Sequence, residues 1–174
     1  MSKANDFAPL RIVRASISNR HTEATDSTGQ WLDSQIQAKG HLLAHHEICG
    51  NDFYELRAKV SAWIADSQVD VILTHGGTGF AQGNCTQAAI EPLLAQTIPG
   101  FGELFRQLSF QQIGSSALQS QAFAGLVNDK VLFAIPGSLS AAELAWTQLI
   151  SPQLDARQGP CNFVAHIQKG VCNG

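Results

Sequence analysis

An apolar run, Asp70-Val-Ile-Leu-Thr74, leads into His75-Gly-Gly-Thr-Gly79, with a helical pattern resuming near Thr86. Glycines at the end of a strand permit positive φ and close backbone approach, and their N–H groups beside a helix N-terminus make a natural anion cradle. The same residues also suit an ordinary strand-to-helix turn. Two nucleotide fingerprints are not met: no GK[ST] follows, and Gly77-Thr-Gly79 reaches Gly83 with one residue too many for GxGxxG. A second turn, Pro136-Gly137-Ser138, ends a later apolar run, and Ser138 and Ser140 could bond a ligand or cap the next helix. His45-His46-Glu47 does not make HExxH because position 50 is Gly, and with His41 it falls on a presumed strand, so no metal is assigned. No GxSxG elbow surrounds Ser138 or Ser140, which disfavours a hydrolase. Asn84-Cys-Thr86 spells a glycosylation sequon only.

The elements that must position these residues follow from periodicity. Arg11 to Ser18 reads as a first strand, and Asp26, Ser27 and Thr28 are cap types ahead of a helix carrying Trp31, Leu32 and Ile36 and ending at Gly40. His41 to Ile48 reads as a second strand. Asp52 and Glu55 make a capping-box pattern before a helix with Leu56, Val60, Trp63 and Ile64 on one face. A helix from about Thr86 to Ala95 should be shortened or bent by Pro92. Pro99 to Phe110 and Ser115 to Gly125 read as helical with loops, Val131 to Ile135 as a strand, and Ala142 to Ile150 as a helix; the tail from Gln158 has no clear pattern. Alternating strands and helices predict an α/β fold with a parallel sheet covered on both faces. Ligands of such sheets bind beyond the carboxyl ends of the strands, so the loops Ser16 to Arg20, Thr74 to Asn84 and Pro136 to Ser140 should share one edge.

Composition bounds the rest. The 174 residues fit one domain spanning 1–174, with no repeat, linker or low-complexity block. The net charge of −3 and pI near 6.0 provide no positive field for nucleic acid. No apolar run approaches a membrane span, and Met1 to Pro9, with Lys3, Asn5 and Asp6, lacks a signal-peptide core, so the cytoplasm is the expected compartment. Cys49, Cys85, Cys161 and Cys172 form no CxxC pair and read as reduced, mostly buried thiols. Charged residues make up only 14% against about 25% in a typical soluble domain. The surface is therefore covered by neutral polar groups or hidden in subunit contacts.

Taken together, Leu73 to Gly79, Pro99-Gly-Phe-Gly-Glu-Leu-Phe-Arg106, Ile135-Pro-Gly-Ser138, and Leu154-Asp-Ala-Arg157 with Pro160-Cys-Asn-Phe163 resemble the molybdenum cofactor biosynthesis family MoaB/MogA. Ser18-Asn-Arg20, Leu108-Ser109 and Ile113-Gly114 place the resemblance nearest the MoaB branch, and it covers about residues 10–167. It implies a three-layer αβα sandwich with a mostly parallel sheet, molybdopterin as the ligand, and a trimer or hexamer. Members that are molybdopterin adenylyltransferases join the pterin phosphate to AMP from Mg-ATP. The resemblance puts ligand contacts at Ser18, Gly76, Gly77, Thr78, Gly79, Ser120, Pro136, Gly137 and Ser138, and the reacting step at Asn84 and Asp52. Three departures fall there. Asn84 stands where the family has Asp, the acidic residue after the second strand is displaced to Asp52, and Gln121 replaces an Arg. An amide carries no charge for a hard cation, and Gln lacks a bidentate phosphate fork. The expectation is a pterin-phosphate binder with weak or absent adenylyl transfer, against an active transferase or a non-catalytic oligomeric scaffold. A hydrolase would need a nucleophile and base that the sequence does not assemble.

Overall fold

The computed structural model describes residues 6–167. Six strands, β1 (Arg11–Ile17), β2 (Leu42–Cys49), β3 (Val71–His75), β4 (Gln96–Thr97), β5 (Phe123–Val127) and β6 (Lys130–Ile135), form one sheet in the order β2-β1-β3-β6-β5-β4. The first four in that order are parallel. β5 and β4 are antiparallel additions at one edge. The mixed α/β sheet has helices on both faces, as expected.

Period-two alternation decides which side chains enter which layer. Ile12, Val71, Leu73, Val131 and Phe133 face α1 (Ser27–Ala38), α4 (Pro99–Ile113) and α5 (Leu139–Ala145). Val13, Ala15, Ile17, Ile72, Leu132 and Ala134 face α2 (Phe53–Ala65) and α3 (Thr86–Ile90). On β1 the alternation that carries Ile12 to the α1 side also carries Arg14 and Ser16 there, and both are buried. On β3 it carries His75 with Val71 and Leu73.

The helix starts are made by the expected side chains. Asp26 accepts from the Gly29 N–H at the start of α1, Asp52 from Glu55 N–H at the start of α2, and Ser138 from Ala141 N–H at the start of α5. Pro92 lies in a 3-10 turn, Glu91–Leu93, that ends the α3 region, in line with the predicted shortening. The helical reading of Pro99 to Phe110 holds: Pro99–Ile113 is one continuous helix, α4, despite its glycines. One expectation needs correction. Ser115 to Gly125 is not helical throughout: a 3-10 segment, Gly114–Gln119, gives way to β5. β5 and β6 are joined through Asn128 and Asp129, both at positive φ (46° and 58°), the geometry that a two-residue hairpin turn demands.

Cys49 is buried, Cys85 is half-buried and Cys161 is exposed, so burial of the thiols holds for Cys49 alone among these three; Cys172, like Lys3 and Asn5, lies outside the described residues. Among the described residues no helix is long and apolar enough to cross a membrane. Phe133 is the central anchor of the α4 layer, its ring centroid 5.2 Å from Phe101 and 6.3 Å from Phe163. Phe133→Ala should cost about 3–5 kcal/mol, read as a lowered urea midpoint with an unchanged slope.

Candidate functional site

The three loops predicted to share an edge do so. β1, β3 and β6 are parallel neighbours, so their carboxyl ends emerge side by side. Gly76 donates its N–H to Ile135 O (3.0 Å), and its φ of +93° is followed by +63° at Gly77. A Cβ on Gly76 would sit 2.5 Å from Ile17 O, and one on Gly137 would sit 3.1 Å from the Gly76 Cα. Thr86 closes the loop from below: its hydroxyl donates to Gly76 O (2.9 Å) and its N–H to Gly77 O (3.1 Å). Among the described residues, the N–H groups of Gly77, Thr78 and Gly79 have no intramolecular acceptor. Backbone donors left open in this way can receive an anion.

A cavity of about 430 Å³ opens beside this cradle, lined by Gly77, Thr78, Gly79, Phe80, Asn84 and Gln121 among others. It brings two of the three departures together: Asn84 and Gln121, distant in sequence, share one cavity. The Asn84 side chain donates to Gly79 O (3.0 Å) and so ties the loop to itself. A carboxylate at this position could not make that bond. Asn51 joins from the second strand-to-helix loop. Its N–H donates to the Asn19 side chain (2.8 Å), while its Oδ1 is buried without a donor and lies 2.5 Å from where a Gly77 Cβ would be.

The other anticipated residues take structural places. Asp52 caps α2; the Cys85 thiol has its pKa raised by its own burial and, to a lesser extent, by the negative charge of Asp52. Ser18 accepts from the Arg20 and His21 N–H groups. Ser138 is exposed and caps α5, Pro136 and Gly137 lead into it, and Ser120 follows the 3-10 segment, beside Gln121. None of these lines the cavity. Among the described residues no group of three His, Cys, Asp or Glu side chains could hold a metal. His45 and His46 lie on β2, and His46 pairs with Asp33 (3.1 Å). The donors near the loop are amides, backbone groups and the capping carboxylate of Asp52, so a Mg²⁺ brought with a nucleotide would find a single carboxylate among these groups.

Sequence reading missed a polar network directly beneath the glycine loop. Arg14 donates to Asp33 (2.8 and 2.5 Å), to Asp26 (3.1 Å) and to the Ser16 hydroxyl (2.8 Å). Ser16 spends its single proton on Asp26, so His75, whose Nε2 is 2.6 Å from Ser16 Oγ, must donate through Nε2–H. Burial lowers the His75 pKa to about 4 against the partial opposition of Asp26. Arg14 and Ser16 on the buried face of the strand were the available signal.

Residues 12–156 match the family model described as a probable molybdopterin-binding domain. The chain belongs to that family. The molybdenum cofactor biosynthesis protein B of Escherichia coli (strain K12) is 45% identical over 166 residues, covering 95% of this chain and 98% of that protein. The protein of the same description from Bacillus cereus is 41% identical, covering 91% and 92%. A solved structure of a molybdenum cofactor biosynthesis protein B superposes with TM-score 0.82 at 40% identity, covering 84% and 92%. The tungsten cofactor synthesizing protein MoaB from Pyrococcus furiosus superposes with TM-score 0.73 at 25% identity, covering 82% and 91%. The mixed α/β sheet described above is thus the fold of these solved relatives.

The network predicts an acid-sensitive fold. The unfolded chain protonates His75 near pH 6.5 and the native chain only near pH 4, so stability contributed by the neutral ring is lost as pH falls between those values. In urea titrations, His75→Gln should flatten this part of the stability profile by up to one proton, about 1.4 kcal/mol per pH unit.

Proposed function

We propose that this protein acts in molybdenum cofactor synthesis by binding molybdopterin or a related pterin phosphate at the glycine loop, with adenylyl transfer from Mg-ATP weak or absent. The ligand reading draws on membership of the molybdopterin-binding family and on three cavity-lining residues, Gly77, Thr78 and Gly79, whose backbone N–H groups have no intramolecular acceptor among the described residues. Those groups hold a phosphate without covalent chemistry or a charged side chain. Thr78, buried at the loop's centre, and the Thr86 bonds hold them in place.

The observation that carries the second half is the pairing of Asn84 with Gln121 in one cavity. Phosphoryl and nucleotidyl transfer depend on positioning and on neutralising developing charge. Here the side chains at the cavity supply amides in place of a carboxylate and a guanidinium. Asn84 is, moreover, committed to Gly79 O. Asp52 is engaged as a helix cap. The chain therefore keeps phosphate positioning and lacks the charges that adenylyl transfer uses.

A homo-oligomer, trimer or hexamer, belongs to the same proposal, and the cytoplasm is its proposed compartment. Leu104, Phe110 and Ile113 on α4 and Leu118 just after it are at least half exposed, a density of large apolar side chains that suits a subunit contact. Light scattering should return a mass three or six times 18.7 kDa; a monomer at micromolar concentration contradicts it.

Pyrophosphate release with molybdopterin, ATP and Mg²⁺ tests the catalytic half. The protein should bind the pterin yet turn over at least tenfold more slowly than Asn84→Asp. Turnover at the rate of an active adenylyltransferase, or none gained by the substitution, counts against the role given to Asn84.

A further inference from the structure

The parallel strands have a second edge, at their amino ends, about 20 Å from the glycine loop along the seven residues of β1. His41 lies there, just ahead of β2, and is only 4% exposed. Its Nδ1 accepts from the Leu10 N–H (3.2 Å), so the neutral ring carries its proton on Nε2. Burial lowers the pKa of this ring, Asp155 opposes the lowering, and the charge of Lys39 adds to it.

A cavity of about 250 Å³ opens at this edge, lined by Lys39, His41, Thr147, Ser151, Asp155 and Arg157 among others. None of them lines the glycine-loop cavity. Among the described residues the Lys39 ammonium and the Thr147 and Ser151 hydroxyls make no hydrogen bond, and the His41 ring makes only the one it accepts. Yet His41 Nε2 and Ser151 Oγ are not sealed in, since the buried unpaired side-chain atoms among the described residues are Asn51 Oδ1, Thr74 Oγ1 and Trp146 Nε1. For residues as buried as His41 and Ser151, the surface left to these two atoms is the cavity wall.

Asp155, the carboxylate at this cavity, is already engaged. It accepts from the Arg157 N–H (2.9 Å), Nε (2.9 Å) and Nη2 (2.7 Å). The Arg157 guanidinium in turn lies 5.2 Å over the Phe7 ring, whose centroid is 5.3 Å from that of His41. Gly40 admits Phe7: a Cβ there would stand 3.1 Å from the ring. Two cations against one engaged carboxylate leave the cavity at a formal +1, beside donors that no protein acceptor uses. An apolar ligand would strand those donors and a cation would be repelled.

We propose that this cavity is a second anion site, which takes a tetrahedral oxyanion, free or at the end of a small phosphomonoester. Lys39 supplies charge, and His41 Nε2–H with the two hydroxyls supplies directed donors. The space, roughly eight waters of liquid volume, holds such a group with room for a short chain. A planar carboxylate has fewer oxygens to offer the same donors. The site is independent of the glycine-loop reading and stands if no pterin binds there.

Calorimetry on the full chain with sodium sulfate, glycerol 3-phosphate and sodium acetate tests it. Sulfate should bind saturably. Lys39→Met should weaken one equivalent at least fivefold, and His41→Asn, whose Oδ1 can still accept from the Leu10 N–H, at least tenfold. Lys39→Arg should retain binding, and Lys59→Met, which removes the same charge elsewhere, should change nothing. An anion beside His41 raises the pKa of the ring, so the bound state takes up a proton. Sulfate does not titrate between about pH 5.5 and 7.5, and Arg157 holds Asp155 down to about 2. Sulfate should therefore bind more tightly as pH falls through that range, and His41→Asn should abolish the dependence. Glycerol 3-phosphate binding more tightly than sulfate assigns the site to a phosphomonoester, and the reverse order assigns it to a free oxyanion. Acetate binding as tightly as sulfate, equal weakening by Lys59→Met, or sulfate affinity unchanged in both Lys39→Met and His41→Asn overturns the proposal.

Discussion

The close approach of three backbone segments at Gly76 governs the architecture of this edge. Three parallel strands, β1, β3 and β6, end at the same level, and their following loops must turn without collision. Ile17 O stands where a Gly76 side chain would begin, and Gly137 packs against the Gly76 Cα. Only a residue without Cβ satisfies both neighbours at positive φ. Once that turn is made, the N–H groups of the next three residues are left without intramolecular acceptors among the described residues. The proposed ligand cradle is on this reading a by-product of packing: the steric solution that joins three strands also leaves donors unpaired.

Beneath the turn lies a second constraint, the burial of charge. Arg14 occupies a core-facing position on β1, at which an isolated guanidinium would be costly. Asp26 and Asp33 from α1 and the Ser16 hydroxyl satisfy it. With His75 neutral, one guanidinium and two carboxylates leave this network at −1. His46, largely exposed beside Asp33, can offset that charge when it is protonated. His75 immediately precedes Gly76, so the network and the glycine turn are one mechanical unit: the ring bonded to Ser16 fixes the end of β3, from which the turn departs.

Legibility in the sequence tracked the range of the interactions. The glycine turn, the N-caps at Asp26 and Asp52, and the α1 and α2 faces depend on neighbours within a few residues and were readable. The alternation of strand and helix fixed the parallel portion of the sheet and hence which loops meet. β5 was not readable because Phe123-Ala-Gly-Leu-Val127 contains two weak strand formers and follows small residues, so the deciding signal was the Asn128-Asp129 turn. The network was hidden for a different reason. Arg14 and Ser16 look like ordinary interruptions of a strand, and their partners lie 10 to 59 residues away. Asn84 and Gln121 stood out only through the family resemblance; that they line one cavity came from the fold.

The scarcity of charged residues now has a spatial meaning. Part of the charge this chain does carry is inside, in the Arg14 network, where it fixes β1 against α1 and does not face a ligand. At the glycine-loop cavity no lining side chain is charged, and three of them, Asn84, Gln87 and Gln121, are amides. Because the buried network beneath is formally negative, attraction for an anion cannot come from below; it must come from backbone N–H groups and their dipoles. Such donors are fixed by the fold, need no counter-ion, and retain their strength at any pH the sheet survives. Their limitation is equally physical: they can hold a phosphate in place, yet they cannot move to follow charge that develops on a leaving group. On the function proposed above, a site built this way favours retention of a phosphorylated ligand over its conversion.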